Sequence, residues 1–239
     1  MKRLTILLDS VAKIRKATGD SGYDPVRIGV LAENAGADGL ACSYTGDEKG
    51  ITERDIRLLK EIRTTYFNLY IPPTPEAVRT ALSVTPDMVT FADFHSADGK
   101  GPLPITPALH LETIQTLVPD LKANQISVAA VIPPEISVLK SLNKLQLDYV
   151  DLFGENLANA ADVNEELVES DKIRSAAMAA AKLGFGVNCS GSLGYAQLSV
   201  LTRVPYLEDL VLGCDFARRA LYVGVEQAVK EGLHAIRES

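Results

Sequence analysis

The sequence predicts a parallel (β/α)8 barrel, and three observations lead there. Short apolar runs rich in β-branched residues alternate with longer helix-patterned segments from one end of the chain to the other. Several runs are apolar on both faces, Ser127-Val128-Ala129-Ala130-Val131-Ile132 being the clearest, which suits a parallel sheet covered by helices. The chain has 239 residues, close to the roughly 250 that a closed eightfold barrel uses. A doubly wound open sheet is the competing reading. Against it, no Gly-x-Gly-x-x-Gly follows the first run, as a dinucleotide-binding sheet would normally carry.

The eight strands are expected at Leu4–Leu8, Gly39–Ser43, Phe67–Ile71, Met88–Ala92, Ile126–Ile132, Tyr149–Leu152, Gly186–Asn188 and Leu210–Gly213. Eight helices are expected to accompany them, three with explicit start signals. Thr52 before Glu53 and Asp55, Thr74-Pro75 and Thr106-Pro107 each place a side-chain oxygen where it can cap a first turn. In the last two, proline takes a position whose missing N–H costs nothing. Gly36 and Gly184 stand where a helix must stop in a left-handed conformation before the next strand. No linker or low-complexity stretch interrupts the pattern, so residues 1–239 are expected to form a single barrel domain.

Composition narrows the function classes. With 46% hydrophobic and 23% charged residues the chain can bury a substantial core, and its net charge of −7 argues against a nucleic-acid partner, which is bound through clustered Lys and Arg. Met1-Lys2-Arg3 followed by Leu4–Leu8 imitates a signal peptide. Asp9 ends that apolar run short of the roughly 7–15 residues such a segment needs, so it reads as a buried strand. No stretch approaches the roughly 18 apolar residues of a membrane span, and a cytoplasmic location is expected. Three cysteines, Cys42, Cys189 and Cys214, are odd in number and far apart, which describes reduced, half-buried thiols rather than a disulfide framework.

Several stretches together resemble the pyridoxine 5′-phosphate synthases of vitamin B6 synthesis: Asp9-Ser10-Val11-Ala12-Lys13-Ile14-Arg15-Lys16-Ala17-Thr18-Gly19, Asp24-Pro25-Val26, Ala35-Gly36-Ala37-Asp38-Gly39 and Gly50-Ile51-Thr52-Glu53-Arg54-Asp55. Phe67-Asn68-Leu69, Leu183-Gly184-Phe185-Gly186-Val187-Asn188, and Leu212-Gly213 leading to Arg219-Ala220-Leu221 extend the likeness over essentially the whole chain. The resemblance implies a β/α barrel assembled as an octamer built from dimers. It implies condensation of 1-deoxy-D-xylulose 5-phosphate with 3-amino-2-oxopropyl phosphate without a metal or organic cofactor. Histidines and a glutamate would move the protons, and arginine and backbone amides would hold the phosphates.

The departures fall on that chemistry. At the first strand's end, Leu7, Leu8, Asp9 and Ser10 keep only the aspartate of the family's Asn-x-Asp-His. Ser43, Thr45 and Gly50 stand where the family has histidine, arginine and histidine, and Tyr70 stands where it has its glutamate base. The family's Asn-Ala-Gly-His-Gly is here Asn188-Cys189-Ser190-Gly191-Ser192, and its Gly-His-Ala is Gly213-Cys214-Asp215. Thr18 replaces a phosphate-contacting arginine, and Asp151 keeps a sixth-strand acid in shortened form. Asp215 puts a carboxylate where the family presents amides to a phosphate, although aspartate is also a normal residue at a helix start.

The candidate catalytic residues are therefore Tyr70, Asp151 and Asp9, and the candidate ligand-binding residues are Ser10, Ser43, Thr45, Ser190, Gly191, Ser192, Gly213, Cys214 and Asp215. Ser190-Gly191-Ser192, helped by Arg218 or Arg219, is a candidate anion cradle, with a solvated loop as its equal alternative. His110 and His234 read as residues of exposed helices, whereas His95 lies in a loop, Asp93 to Gly101, that is placed to cover a site. A metal or thiolate site at the cysteines is disfavoured, because strand alternation turns Cys42 outward. Two functions follow from these residues. In one, the barrel binds a small polar or phosphorylated metabolite and performs altered chemistry. In the other, it has lost catalysis and serves as a binding or assembly protein. A homo-oligomer is expected in either case, with neither nucleic acid nor membrane as partner.

Overall fold

The computed structural model describes residues 1–46, 50–95 and 101–237. Eight parallel strands close into a barrel in sequence order, the eighth returning to pair with the first. The strands are β1 (Arg3–Leu7), β2 (Gly39–Ser43), β3 (Tyr66–Ile71), β4 (Met88–Phe91), β5 (Ser127–Ile132), β6 (Tyr149–Phe153), β7 (Gly186–Ser190) and β8 (Leu207–Leu212). Around them run α1 (Asp9–Thr18), α2 (Pro25–Asn34), α3 (Glu53–Ile62), α4 (Pro75–Val84), α5 (Pro107–Ala123), α6 (Ile136–Leu142), α7 (Glu155–Ala158), α8 (Val163–Lys182), α9 (Tyr195–Leu201), α10 (Cys214–Val223) and α11 (Val225–Arg237).

Eleven helices among the described residues correct the expected eight. The first connection splits because α1 stops at Gly19, whose φ of 68° ends a helix without strain, and Asp24 starts another by accepting the Val26 N–H at 3.0 Å. The eighth strand begins three residues earlier than expected, at Leu207. A shift in register between Val187 and Asn188 leaves Glu208 in solvent while Asp209 is buried, a break in alternation that hides the strand from a periodicity reading. Thr52 and Thr74 cap their helices, Thr52 in a reciprocal pair with Asp55. Thr106 does not: its N–H instead donates to His110 Nδ1 at 3.1 Å. Gly36 and Gly184 take φ of 103° and 90°, as helix ends require.

Strand alternation separates two layers. Outward side chains such as Leu4, Leu40, Phe67, Phe91, Ile132 and Leu210 are fully or almost fully buried against the helices in one continuous apolar cluster. Cys42 and Cys189 belong to it, fully buried rather than half-buried, and burial pushes both thiols well above their usual range. Inward side chains are different. Thr5, Asn68, Tyr70, Thr90, Asp151, Asn188, Ser190 and Asp209 are buried polar groups along the barrel axis, beside a small apolar cluster of Ala41, Ala92 and Val131. Outside the barrel, the buried Asp55 carboxylate receives both Arg15 nitrogens at 2.6 and 3.1 Å, tying α1 to α3.

Candidate functional site

The carboxyl ends of the strands open into a cavity of about 360 Å³ lined by Leu7, Asp9, Ser10 and Lys13 after β1, by Gly101, Pro102 and Leu103 after β4, by Phe153 and Glu155 at the end of β6, by Ser190, Gly191 and Ser192 after β7, and by Val211, Gly213 and Cys214 at β8. A β/α barrel places its chemistry at this end because loop residues there change without disturbing the core. A larger depression, about 690 Å³, lies on the helical shell between Leu31 and Gly224, and no strand residue lines it. Of the expected site residues, the cavity gathers Asp9, Ser10, Ser190, Gly191, Ser192, Gly213 and Cys214. Ser43, Thr45, Tyr70, Asp151 and Asp215 are not in its wall.

Each of the excluded residues has a structural reason. Ser43 is half-buried and turns its N–H to Asp9 Oδ1 at 2.7 Å, so its contribution is to hold the Asp9 carboxyl in place. Thr45 is exposed. Tyr70 and Asp151 are completely buried beneath the cavity floor, where the Tyr70 hydroxyl donates to Asp151 Oδ2 at 2.7 Å. Asp215 projects toward Gly194 and pairs with Arg218. Thr18 is exposed at the far end of α1, with its hydroxyl bound to the Ile14 carbonyl at 2.9 Å.

Several wall residues carry no chemical signature in the sequence. Leu7 ends β1 facing inward, and its side chain lies 3.2 Å from where a Gly213 Cβ would stand, so the two positions are fitted to each other. Phe153 does the same at Gly191, whose φ of 93° and 2.6 Å approach to that ring both require glycine. Leu103 is pinned over the mouth by a two-way main-chain bridge with Asp93, each hydrogen bond 2.9 Å long. The loop after β4 therefore borders the cavity as expected, although residues 96–100 lie outside the described residues. His95 turns away: its side chain is 90% exposed and its Nδ1 lies 2.7 Å from Asp93 Oδ1.

Burial governs the electrostatics. It pushes the Asp151 carboxyl up to about 7, against the Tyr70 hydrogen bond and the neighbouring Ser190 hydroxyl, which work to lower it. The Tyr70 phenol is driven well above its usual range by burial and by the adjacent Asp151 charge. Burial also raises Asp9, opposed by the Ser43 amide and by Lys13. Asp209, on β8 two strands from Asp151, is lifted to about 6 by burial and holds the Thr5 hydroxyl at 2.8 Å. Ser190 Oγ is buried beside the Tyr70–Asp151 pair, in the cavity wall, without a well-formed hydrogen bond; Asp151 Oδ1 lacks one too. Among the described residues no three His, Cys, Asp or Glu side chains are grouped to hold a metal ion. No helix among them is long and apolar enough to cross a membrane.

The fold alone is widely shared. Thiamine phosphate pyrophosphorylase from Pyrococcus furiosus superposes with a TM-score of 0.63 at 13% identity, covering 99% of this chain and 96% of its own. KGPDC from Streptococcus mutans superposes with a TM-score of 0.61 at 10% identity, covering 99% of each chain. Sequence likeness is narrower in its reach. A pyridoxine 5′-phosphate synthase from Geotalea daltonii is 33% identical over 239 residues, the full length of both chains. One from Citrifermentans bemidjiense is 31% identical over 237 residues, 99% of each. The family model of the pyridoxal phosphate biosynthesis protein PdxJ matches residues 4–238, from the first strand through the last helix. Barrel, strand-end cavity and this end-to-end match agree, and the chain belongs to the PdxJ family of pyridoxal phosphate biosynthesis proteins.

Proposed function

We infer that this member of the family binds a small polar metabolite at the barrel mouth and moves protons there through Ser190, Asp151 and Tyr70, with Asp9 as a second carboxyl in the wall. One observation carries the reading: Ser190 Oγ is buried, lines the cavity, adjoins the Tyr70–Asp151 pair and has no well-formed hydrogen bond. A buried hydroxyl in that condition costs free energy until something bonds to it, and the cavity is where that partner would enter. Asp151, lifted to about 7, is poised to take or give a proton near neutral pH, as a general acid–base group requires.

The relatives are pyridoxine 5′-phosphate synthases. None of the three histidines of this chain lines the cavity, and Tyr70 replaces the residue that the resemblance assigns as base. Each missing acid or base costs about 10²–10⁴ in rate, so the ring-closing condensation is expected to run at least about 10²-fold below an ordinary rate. Assay with the two phosphorylated family substrates tests this, and turnover at an ordinary rate defeats it. A metabolite that raises the Tm of the wild type but not of Ser190→Ala supports the working pocket. The complete burial of Tyr70 and Asp151 under the floor favours the second reading, a non-catalytic binding or assembly barrel. That reading gains if no metabolite stabilises the wild type.

A further inference from the structure

The helices of a β/α barrel form a ring around the sheet. Here α8 and α9, on either side of β7 in the chain, leave a groove of about 320 Å³ between them. Val163, Glu166, Leu167, Ser170 and Arg174 recur every three or four positions along its wall and so form one stripe of α8, and Val200 of α9 and Arg203 just beyond it line the same groove. The outer end of that stripe is apolar where a helix surface should be polar. Val163 is 80% and Leu167 60% exposed, whereas burial on α8 begins only at Ser170. The charges around the stripe are nearly all engaged within the chain. Asp162 caps α8 by accepting the Asn164 and Glu165 N–H groups at 2.8 and 2.9 Å, Glu165 accepts the Ala161 N–H at 2.8 Å, Glu169 binds Lys172 at 2.6 Å, and Asp171 pairs with Arg174. Glu166 and Arg203 remain, one acid and one cation on the same groove, neither with a side-chain partner among the described residues.

We propose that the α8–α9 groove is where a second copy of this chain docks about a two-fold axis, Val163 and Leu167 of each copy packing together and Glu166 of each meeting Arg203 of the other. A two-fold sets one patch against itself, so a patch that bears one open acid and one open cation beside an apolar stripe is its own complement. A partner of a single charge sign would leave one of the two unmatched as the groove closed, which costs more than it gains. An anionic membrane surface is opposed by Glu165, Glu166 and Glu169, all in the first two turns of α8. The groove shares no residue with the wall of the barrel mouth, so the contact holds for a catalytic and a non-catalytic barrel alike.

The test uses the full chain and follows its mass by sedimentation equilibrium over a micromolar concentration series. Glu166→Arg and Arg203→Glu each set like charges against each other across the axis, and each is expected to weaken self-association at least about tenfold. The double variant Glu166→Arg with Arg203→Glu restores opposite charges and is expected to associate nearly as the wild type does. Leu167→Asp, which removes the apolar contact, should weaken association with no rescue from the charge reversals. None of these side chains is buried in the single chain, so unchanged circular dichroism is expected to show that every variant folds. If other faces also join copies, the single reversals should still cut the mass of the largest assembly by half or more. A wild type that stays monomeric overturns the inference, as do single reversals that leave the mass unchanged and a double reversal that fails to recover it.

Discussion

The same eight strands present two faces of different chemistry, one wholly apolar and one mixed, and the contrast separates what holds this molecule together from what it has available for function. Outward, Leu, Ile, Val and Phe meet the helices in one dry cluster whose members are nearly all inaccessible. Inward, the axis carries a polar column that runs from Thr5 and Asp209, through Asn68 and Thr90, up to Tyr70, Asp151 and Ser190 beneath the mouth. Asp151 Oδ1, Asn188 Oδ1, Asp209 Oδ1 and Ser190 Oγ are all buried without a well-formed hydrogen bond. An apolar core filling would have avoided about 1–3 kcal/mol for each such group. The outer face maximises burial; the inner face gives up stability to keep polar atoms under the cavity.

Substitutions on the two faces should differ in kind. Phe67→Ala, on the outward face, is expected to cost about 3–5 kcal/mol in denaturant unfolding through lost burial and a residual cavity, with the midpoint falling and the slope unchanged. A smaller loss there than for any inward polar change would break the comparison.

The inward face should reveal itself through pH. Asp151 holds a proton in the folded chain up to about 7, whereas the unfolded chain releases it near 3.8. Between those values the native state binds more protons than the unfolded state, so unfolding free energy falls as pH rises and levels off above about 7. The change is up to about 4 kcal/mol. Asp209 adds a decline in the same direction that is complete near 6. Asp151→Asn should flatten most of the loss of Tm between about pH 5 and pH 8, and Asp209→Asn a smaller part below about pH 6. An unchanged slope in Asp151→Asn contradicts the buried, proton-holding carboxyl.

Tyr70→Phe is expected to cost about 1–3 kcal/mol, because Asp151 Oδ2 loses its donor in a dry site. It should also move the midpoint of the pH-dependent decline upward, since that hydrogen bond works to lower the Asp151 carboxyl. The smallest loss belongs to Ser190→Ala. Its hydroxyl has no well-formed bond to lose, so stability should hold or rise, by up to about 1–3 kcal/mol, while any ligand-induced rise in Tm disappears. A large loss of stability instead would show that Ser190 is a structural residue.

How much of this was legible beforehand depended on the signal each feature writes locally. All strands but the eighth were found within two residues of their bounds, because apolar runs and helix caps such as Thr52 and Thr74 act over neighbouring residues. The start of β8 was missed because Glu208 and Asp209 read as surface, and only the shifted register reverses that for Asp209. Half of the site was legible on the same terms. Asp9, Ser10, Ser190, Gly191, Ser192, Gly213 and Cys214 sit at or just after strand ends, so finding the strands found them. Leu7, Phe153 and Val211 look like any core residue, and Pro102, Leu103, Lys13 and Glu155 look like any loop or helix surface.

The sequence by itself determined the barrel, the helix caps at Thr52 and Thr74 and the family, because periodicity, turn chemistry and matched stretches are properties of neighbours along the chain. Only the tertiary structure decided that Tyr70 and Asp151 face each other under the floor, that Asp215 leans on Gly194 rather than capping α10, and that Asp209 is buried. Those relations join residues 81, 21 and 204 positions apart, the last through the Thr5–Asp209 hydrogen bond. Closing a sheet on itself fixes such pairs through shear and stagger around the whole ring, quantities that no short stretch of chain contains.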